Sequence, residues 1–496
     1  MESKLNATIE RPANLFDRDA EWADLARFIG GPITTPRLGL VYGRRRQGKS
    51  FMLESLTSVT DGFYHQALEE ARAPALDAFS AALAAFVGHS GLPTGRFDDW
   101  PAAIRAVAEQ AGGRPIVIDE FPYLLRASPE LPSAIQAAYD GARSGRHPAF
   151  NLILCGSALS VMTRLLTGQQ ALRGRAILDM PVHSLDFRQA RAFWEIDDLE
   201  VAFLVNAVLG GPPGYRSLLD GITPQSVGDF EDWLATGILN PSHALFREAE
   251  YLLAEDPTLV DRAVYRSIIG AIARGESTRR GVASRLDRPD TALDHPLDQL
   301  ERSQFIIRDA DLLRSNRPLL RVADPLLRFH FSVLRPDLAR FEARQTHEAW
   351  GNAESRFRSQ VIGPHFESLA RTWTSRYASA RTLGGRAKRV GFVQVNDREF
   401  KQAFELDVVA EAEGQTSDGK PVVLAIGEAK DSDRPRTLAD LARLDRLRGS
   451  LARRADIGHA RLLLFGRSGF DRDLVAAARR RTDIELVDLD RLYLGD

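Results

Sequence analysis

The chain has 496 residues, of which 44% are hydrophobic, 27% charged and 8% aromatic. At roughly 150 residues per domain, this length predicts about three domains and excludes a single small module. The composition is that of a globular protein, and the formal net charge of −2 excludes a generally basic protein, so any contact with nucleic acid has to come from a local basic patch.

The number of cysteines and the hydropathy of the chain indicate in which cellular compartment the protein is expected. Cys155 is the single cysteine, so it cannot form an intramolecular disulfide, and no histidine pair accompanies it at metal-ligand spacing. Residues 1–11 are polar and mixed, and no stretch has the about eighteen apolar residues that a membrane helix needs. We therefore expect a cytoplasmic protein without a membrane partner.

Short apolar runs alternate with helical stretches over residues 12–219. This alternation is typical of an α/β domain in which helices cover both faces of a parallel sheet. The sequence predicts five parallel strands, at Leu38–Tyr42, Gly62–His65, Pro115–Asp119, Asn151–Cys155 and Ala176–Met180.

A phosphate-binding pattern, G-x-x-x-x-G-K-S, follows the first predicted strand and precedes a helix. Its residues are Gly43, Arg44, Arg45, Arg46, Gln47, Gly48, Lys49 and Ser50. The glycines let the backbone wrap so that its N–H groups point at phosphate oxygens, Lys49 can reach the β and γ phosphates, and the Ser50 hydroxyl can ligate Mg²⁺. The pattern predicts a P-loop that binds ATP and Mg²⁺.

Two acidic residues end the third predicted strand. Asp119 would hold Mg²⁺ through water, and Glu120 would take the proton of an attacking water. Ser157, which follows the fourth strand, can sense the γ-phosphate, cap the next helix, or do both. Arg175 can stabilise charge on the transferred phosphoryl group, in its own chain or from a neighbouring copy in a homo-oligomer; a surface arginine is the alternative.

The strand pattern fades after residue 219. Residues 220–258 predict a helical connector, and residues 259–335 predict a winged helix-turn-helix. Its two strands would be Gln304–Arg308 and Leu319–Val322, joined by a loop that carries Arg314, Asn316 and Arg317. Arginines on its helices, Arg279, Arg280, Arg285 and Arg288, suit DNA binding and equally suit the solvated face of a packing domain. Residues 336–362 predict a helical linker.

The last region, residues 363–496, predicts a second α/β domain with its own candidate site. Asp407 ends one strand, and Glu428 and Lys430 form an E-x-K pattern on a neighbouring one. Asp407 and Glu428 would ligate a divalent metal, Lys430 would position a water, and Glu367 early in a helix would add a carboxylate. An exposed ion pair is the alternative explanation of E-x-K.

Basic residues with interleaved aromatics precede this site. They are Arg376, Arg381, Arg386, Lys388, Arg389, Arg398 and Lys401. Such a run can neutralise a phosphate backbone, and a solvated arginine-rich face is the alternative. DNA is therefore an expected partner of the winged helix and of the C-terminal domain.

Several segments together resemble the archaeal-type ATPases, which belong to the AAA+-like, signal-transducing (STAND) branch of P-loop NTPases. These segments are Phe16-Asp-Arg18, the P-loop, Ile118–Tyr123, Leu154–Ser157, Gly174-Arg175 and Gly210–Tyr215. The resemblance covers roughly residues 12–335, and it implies an ATPase core, a winged helix behind it and the use of ATP as a switch.

Roughly residues 350–496 resemble the PD-(D/E)XK, restriction-endonuclease-like fold. That resemblance implies catalytic roles for Glu367, Asp407, Glu428 and Lys430. Together the features predict an ATP-binding and ATP-hydrolysing switch that controls a C-terminal DNA nuclease or nuclease-like domain. The alternative is a regulatory ATPase whose C-terminal domain binds DNA or a protein partner without cleaving.

Overall fold

A computed structural model describes residues 9–31, 33–88, 96–168, 170–397, 402–416 and 419–496. The described chain divides into two compact units. The first unit comprises the described residues up to Leu185 with Pro212–Ser217 and Glu250–Val260, and the second comprises Asp186–Gly211, Leu218–Ala249 and Asp261–Asp496.

The chain therefore returns to the first unit twice after leaving it. In the second return, the Ser160 hydroxyl donates hydrogen bonds of 2.9 and 3.0 Å to the carboxylate of Asp256. This division differs from the one expected from sequence, where residues 220–258 form a separate connector, because residues 250–260 pack with the first unit.

A five-stranded parallel sheet organises the described part of the first unit. Its strands are β1 (Arg37–Tyr42), β2 (Phe63–Gln66), β3 (Pro115–Asp119), β4 (Asn151–Gly156) and β5 (Ala176–Pro181). The strand order is β2-β3-β4-β1-β5, and every pair is parallel. Each strand end lies within one residue of its prediction, which confirms the expected parallel α/β sheet.

Helices cover both faces of this sheet. They are α1 (Asp19–Ile29), α2 (Lys49–Val59), α3 (Arg72–Val87), α4 (Trp100–Ala111), α5 (Phe121–Ala127), α6 (Leu131–Arg143) and α7 (Leu159–Arg164). Alternate residues of a strand point to opposite faces. Accordingly, Ile116 and Ile118 of β3 pack in one core while Val117 between them packs in the other.

The second unit begins with helices and a two-stranded hairpin. The helices are α8 (Phe187–Trp194), α9 (Leu199–Leu209), α10 (Gly214–Leu218, which starts in the first unit), α11 (Phe230–Thr236), α12 (Glu248–Glu255, which ends in the first unit), α13 (Arg262–Ala273), α14 (Arg279–Arg285) and α15 (Asp294–Arg302). The hairpin consists of β6 (Ile306–Asp311) and β7 (Arg314–Val322), which pair antiparallel.

The hairpin is longer than predicted, and its turn is at Leu312 and Leu313. The Leu312 N–H donates to the Phe392 carbonyl at 3.0 Å, and the Gln394 N–H donates to the Asp311 carboxylate at 2.9 Å. Because the tip is bonded to another part of the unit, both strands are held extended up to the turn. The side chains of Asn316 and Arg317, expected in the loop, lie outside the described residues.

A mixed sheet forms the end of the second unit. Its strands are β8 (Ala387–Asp397), β9 (Gln402–Gln415), β10 (Pro421–Lys430), β11 (Arg461–Gly466) and β12 (Ile484–Val487), in the order β12-β11-β10-β9-β8. Strands β8, β9 and β10 are antiparallel neighbours, whereas β10, β11 and β12 are parallel.

The remaining helices of the second unit precede, alternate with or follow the strands of this sheet along the chain. They are α16 (Pro325–Phe329), α17 (Leu338–Glu342), α18 (Thr346–Arg356), α19 (Gly363–Arg376), α20 (Ala380–Leu383), α21 (Leu438–Leu451), α22 (Arg472–Arg480) and α23 (Leu489–Leu494). Leu441 and Leu444 of α21 pack with Leu406 and Ile426 of the sheet. In the described residues, none of the helices is long and apolar enough to cross a membrane.

Buried His65 on β2 makes the first unit sensitive to acid. Its ring packs edge to face on Phe79 with centroids 5.1 Å apart, and burial lowers its pKa to about 4. The unfolded chain has a histidine pKa of about 6.5, so unfolding takes up a proton below that pH and the free energy of unfolding falls as the pH falls from about 6.5 to 4.

Between about pH 7.5 and about pH 5, we expect the free energy of unfolding of the wild type to fall by roughly 2 kcal/mol more than that of His65→Leu. Urea denaturation of the wild-type and variant chains at both pH values measures this difference. An equal pH dependence in the two proteins would contradict the assignment.

Candidate functional site

The three strands that carry the predicted phosphate site are neighbours. β4 lies between β1 and β3, and all three are parallel. The carboxyl ends of parallel strands meet at one edge of a sheet, where α/β proteins bind ligands. The loop after β1, Asp119 at the end of β3 and Ser157 after β4 therefore share one edge.

The P-loop is tightly wrapped between β1 and α2. At Gly43, an added Cβ would lie 2.3 Å from the Val182 carbonyl oxygen and 2.4 Å from Oε1 of Gln47, so only glycine fits. Gly48 has a φ of +86° and immediately precedes α2. Lack of space at Gly43 and the left-handed backbone at Gly48 both require glycine, and the amino end of the eleven-residue helix α2 faces the loop.

Lys49 lies inside this loop. Its side chain is buried, and Nζ donates to the Arg44 carbonyl at 2.9 Å. Oε1 of Gln47 is buried without a hydrogen-bond partner among the described residues. The close backbone, the lysine and the helix terminus fit a polyphosphate, and Ser50 in the first turn of α2 has the hydroxyl that could hold Mg²⁺ there.

Asp119 is fully buried and held by two donors. The Tyr64 hydroxyl donates to Oδ2 at 2.7 Å, and the Glu120 N–H donates to Oδ1 at 2.8 Å. Burial and the charge of Asp119 raise the pKa of Tyr64 well above its usual value, so that hydroxyl stays a donor. The carboxylate is thus oriented by two neutral donors at the end of β3.

Glu120 and Ser157 contact each other directly. The Ser157 hydroxyl lies 2.9 and 3.1 Å from the two carboxylate oxygens of Glu120. Glu120 has a φ of +51° just before α5, a left-handed conformation that is uncommon for a non-glycine residue and is concentrated at functional sites. The structure therefore brings together the two residues that sequence assigned to water activation and sensing.

Arg175 is bound by a different part of the first unit. Its guanidinium pairs with Asp140 of α6 at 2.8 and 3.1 Å and donates to the Ala171 carbonyl at 2.9 Å. The hydrogen bond from Arg175 lowers the pKa of Asp140. Among the described residues, the side chain of Arg175 forms hydrogen bonds with Asp140 and Ala171, neither of which was predicted to belong to the phosphate site.

Two residues that hydrogen-bond to the P-loop, Arg18 and Gly214, were assigned no function from the sequence. Buried Arg18 donates to the Gln47 carbonyl at 3.1 Å and to the His183 carbonyl at 2.8 Å, which ties the loop to the segment after β5. The Gly214 N–H donates to the Arg46 carbonyl at 3.0 Å. Both lie in segments that carried the family resemblance, Phe16-Asp-Arg18 and Gly210–Tyr215, and that was the available signal.

Three carboxylates of the second unit form a cluster. Glu367 of α19 and Glu405 and Asp407 of β9 have carboxylate oxygens within 4.8 Å of one another. Burial and then the charge of Glu367 raise the pKa of Asp407, whose Oδ2 accepts the Ala429 N–H at 2.8 Å. Glu405 was missed, although residues two apart on a strand share a face and its spacing from Asp407 was visible.

Glu428 contacts basic residues outside this cluster. Its carboxylate lies 3.3 Å from Nη2 of Arg436, which is 1% exposed, and 3.4 Å from Nη1 of Arg443. Lys430 is 3.9 Å from Asp440 and also lines an open groove of about 660 Å³ with Glu367. The structure thus groups Glu367 with Asp407, leaves Lys430 beside them, and pairs Glu428 with arginines.

Several of the predicted DNA-contacting arginines are in ion pairs. Arg389 pairs with Glu411, and Arg279 pairs with Asp294. Arg398 and Lys401 lie outside the described residues. Ion pairing reduces the charge that these side chains offer to a phosphate backbone.

Comparison with solved structures defines the class of fold. The Walker-type ATPase PABY2304 of Pyrococcus abyssi aligns with a TM-score of 0.50 at 19% identity, over 65% of this chain and 97% of that chain. The ORC2 protein of Aeropyrum pernix, in ADPNP–ADP complexes, aligns with a TM-score of 0.38 at 12% identity, over 62% of this chain and 89% of its own. The first alignment, with the strand order and the P-loop, shows a P-loop NTPase fold.

Comparison of sequences gives one further relative. A protein of Methanocaldococcus jannaschii described as uncharacterized protein MJECL04 is 23% identical over 419 residues, which is 83% of this chain and 87% of the relative. No family model matches the chain. The similarity therefore extends beyond the P-loop unit.

The cramped position of Gly43 gives a direct test of the loop. We expect Gly43→Ala to weaken binding of a fluorescent ATP analogue by about tenfold or more, because the methyl group must displace Val182 or Gln47. Gly351→Ala is the control, since Gly351 is an exposed residue of helix α18 with open space around it, and this variant should bind normally. Equal affinity of both variants would show that the loop has another shape.

Proposed function

We propose that this chain is an ATPase that binds ATP with Mg²⁺ at the P-loop and hydrolyses it with Glu120 as general base. The observation that carries the proposal is the convergence at one sheet edge of three features. These are a loop that admits only glycine at position 43, a buried carboxylate at Asp119, and Glu120 held by Ser157. This combination matches what in-line hydrolysis of a phosphoanhydride requires.

Each residue has a distinct task in the proposed reaction. The N–H groups at the start of α2 and the Lys49 ammonium bind the phosphate oxygens. Ser50, and Asp119 through water, would hold Mg²⁺, which when bound neutralises charge on the phosphates. Glu120 accepts a proton from water as its oxygen attacks the γ-phosphorus, and the bond to the β-phosphate oxygen breaks to leave ADP and phosphate.

Ser157 supports the coupling of this site to nucleotide state. In the structure its hydroxyl faces both oxygens of Glu120. A water that approaches Glu120, or a γ-phosphate that accepts from Ser157, has to compete for these hydrogen bonds. We infer that the Ser157–Glu120 pair rearranges between the ATP and ADP states, as a switch requires.

Replacing Glu120 should separate binding from hydrolysis. We expect Glu120→Gln to bind ATP with nearly wild-type affinity and to lose about 100-fold or more in turnover, the usual contribution of a general base. Lys49→Ala should lose ATP binding, because the ammonium no longer neutralises phosphate charge. Titration with a fluorescent ATP analogue and a phosphate-release assay give the two readouts.

Glu130→Gln is the matched control for Glu120→Gln. Glu130 is an exposed glutamate whose ion pair joins it to Arg72, and its variant should show normal binding and turnover. Normal turnover in Glu120→Gln would remove Glu120 from the reaction.

For the second unit, we propose that residues 259–335 form a winged helix and that residues 363–496 form a restriction-endonuclease-like domain. The support for a metal site there is the carboxylate cluster of Glu367, Glu405 and Asp407, with Lys430 at the adjoining groove. Carboxylate oxygens at this separation suit Mg²⁺ or Mn²⁺, and a groove of about 660 Å³ has room for a phosphodiester. ATP turnover in the first unit would control this domain.

One observation favours a second candidate function. Glu428 pairs with both Arg436 and Arg443, so the acid of the E-x-K pattern is neutralised by fixed cations. A domain in that state would bind DNA or a protein partner without cleaving it. The chain would then be a regulatory ATPase with a binding domain.

Cleavage assays separate the two functions. We expect the wild-type chain with Mn²⁺ and ATP to cleave DNA, and Asp407→Asn to abolish cleavage because the cluster loses a ligand charge. Asp473→Asn, in the exposed first turn of α22, is the control and should cleave normally. If the wild type binds linear, supercoiled and single-stranded DNA but cleaves none of them, the result would support the regulatory ATPase.

A further inference from the structure

We propose that the hairpin of β6 and β7 inhibits the carboxylate cluster from within the chain, with the Arg321 guanidinium held where a divalent cation would bind. The inference rests on the proposed metal site at Glu367, Glu405 and Asp407. It adds a regulatory contact that the proposed function does not contain.

Arg321 of β7 bonds to two of the three cluster members. Its Nη2 lies 2.6 Å from Oε1 of Glu405, and its Nη1 lies 3.3 Å from Oε2 of Glu367. Its Nε lies 3.2 Å from Asp309 on the paired strand. This guanidinium competes with a metal ion for the two carboxylates, because it occupies lone pairs on Glu405 and Glu367 and the two cations would repel each other.

The surroundings of Arg321 strengthen this contact. Its side chain is 18% exposed, and its guanidinium lies 5.5 Å from the centroid of the Phe392 ring. Partly buried guanidinium–carboxylate pairs are stronger than surface pairs, and the aromatic face adds a cation–π contact. A divalent ion therefore has to displace a well-held cation.

The hairpin is anchored at its tip as well as at Arg321. The Leu312 N–H donates to the Phe392 carbonyl of β8, the edge strand of the mixed sheet, and the Asp311 carboxylate accepts from the Gln394 N–H of the same strand. Nη2 of Arg454 lies 3.1 Å from the Asp311 carboxylate, and Leu312 packs against the core under α21. The position of Arg321 is thus set by docking of the whole hairpin.

The interface behind Arg321 is loosely filled. A cavity of about 390 Å³ lies between the hairpin and α19, with Pro364, Ser368 and Arg371 in its wall. Nη1 of Arg328 and Oε1 of Gln360 are buried there without hydrogen-bond partners in the described chain. Protein cores are close-packed and hydrogen-bonded, so this contact has the character of an interface that can open.

Titration of the full chain with Mn²⁺ by calorimetry tests the proposal. We expect Arg321→Gln to bind Mn²⁺ about tenfold or more tightly than the wild type, since it removes the competing charge. Adding Asp407→Asn should abolish that gain. Arg308→Gln is the matched control, because Arg308 lies on the same hairpin but pairs with Asp298 and Glu301, and it should bind Mn²⁺ as the wild type does.

A second variant keeps the test decisive if Arg321→Gln fails to fold by circular dichroism. Leu312→Asp keeps the Arg321 side chain but disrupts the packing of the hairpin tip that positions it, so this variant should also raise Mn²⁺ affinity. Affinity equal to wild type in the folded members of this pair would overturn the proposal.

DNA cleavage distinguishes failure of this inference from failure of the proposed nuclease. Tighter Mn²⁺ binding by Arg321→Gln without cleavage would support the inhibitory contact and reject the nuclease. Cleavage by the wild type and Arg321→Gln at equal rates and with equal Mn²⁺ affinity would support the nuclease and overturn the inhibitory contact.

Discussion

The candidate phosphate site depends on the position of β4 between β1 and β3 in a parallel sheet. Parallel pairing aligns the carboxyl ends of these strands, so residues far apart in the chain, Lys49, Asp119 and Ser157, reach one edge. The flanking strands are apolar on both faces, and this packed core holds Gly48 and Glu120 in left-handed conformations that a flexible segment would not maintain.

The two units hold their acidic residues in different ways. In the first unit, hydroxyl groups of Tyr64 and Ser157 donate to Asp119 and Glu120. Neutral donors orient a carboxylate without placing a fixed positive charge beside it. In the second unit, guanidinium groups bind Glu367, Glu405 and Glu428, and they neutralise that charge. Among the described residues, the first arrangement leaves no arginine to be displaced before a ligand binds. In the second, the carboxylates have to be released from their arginines before they can bind another cation.

The carboxylate cluster also connects the hairpin of β6 and β7 with the mixed sheet. The sequence predicted a loop carrying Arg314, Asn316 and Arg317 between the hairpin strands. The structure instead bonds the hairpin tip to β8 and brings Arg321 to the carboxylates. Covering an edge strand also protects its unpaired backbone groups. The hairpin thereby contacts both the edge strand β8 and the carboxylate cluster.

The sequence alone was sufficient to predict the strands of the first sheet, the P-loop and the acids after β3, because buried strands are apolar runs with clear ends and the phosphate loop depends on local glycines. It also pointed to Asp407 and Glu367. Only the tertiary structure decided that Arg175 pairs with Asp140, that Glu428 pairs with Arg436, and that Arg321 reaches Glu405. An arginine or a glutamate can pair with any opposite charge within reach of its long side chain, and that choice depends on contacts between residues distant in the chain.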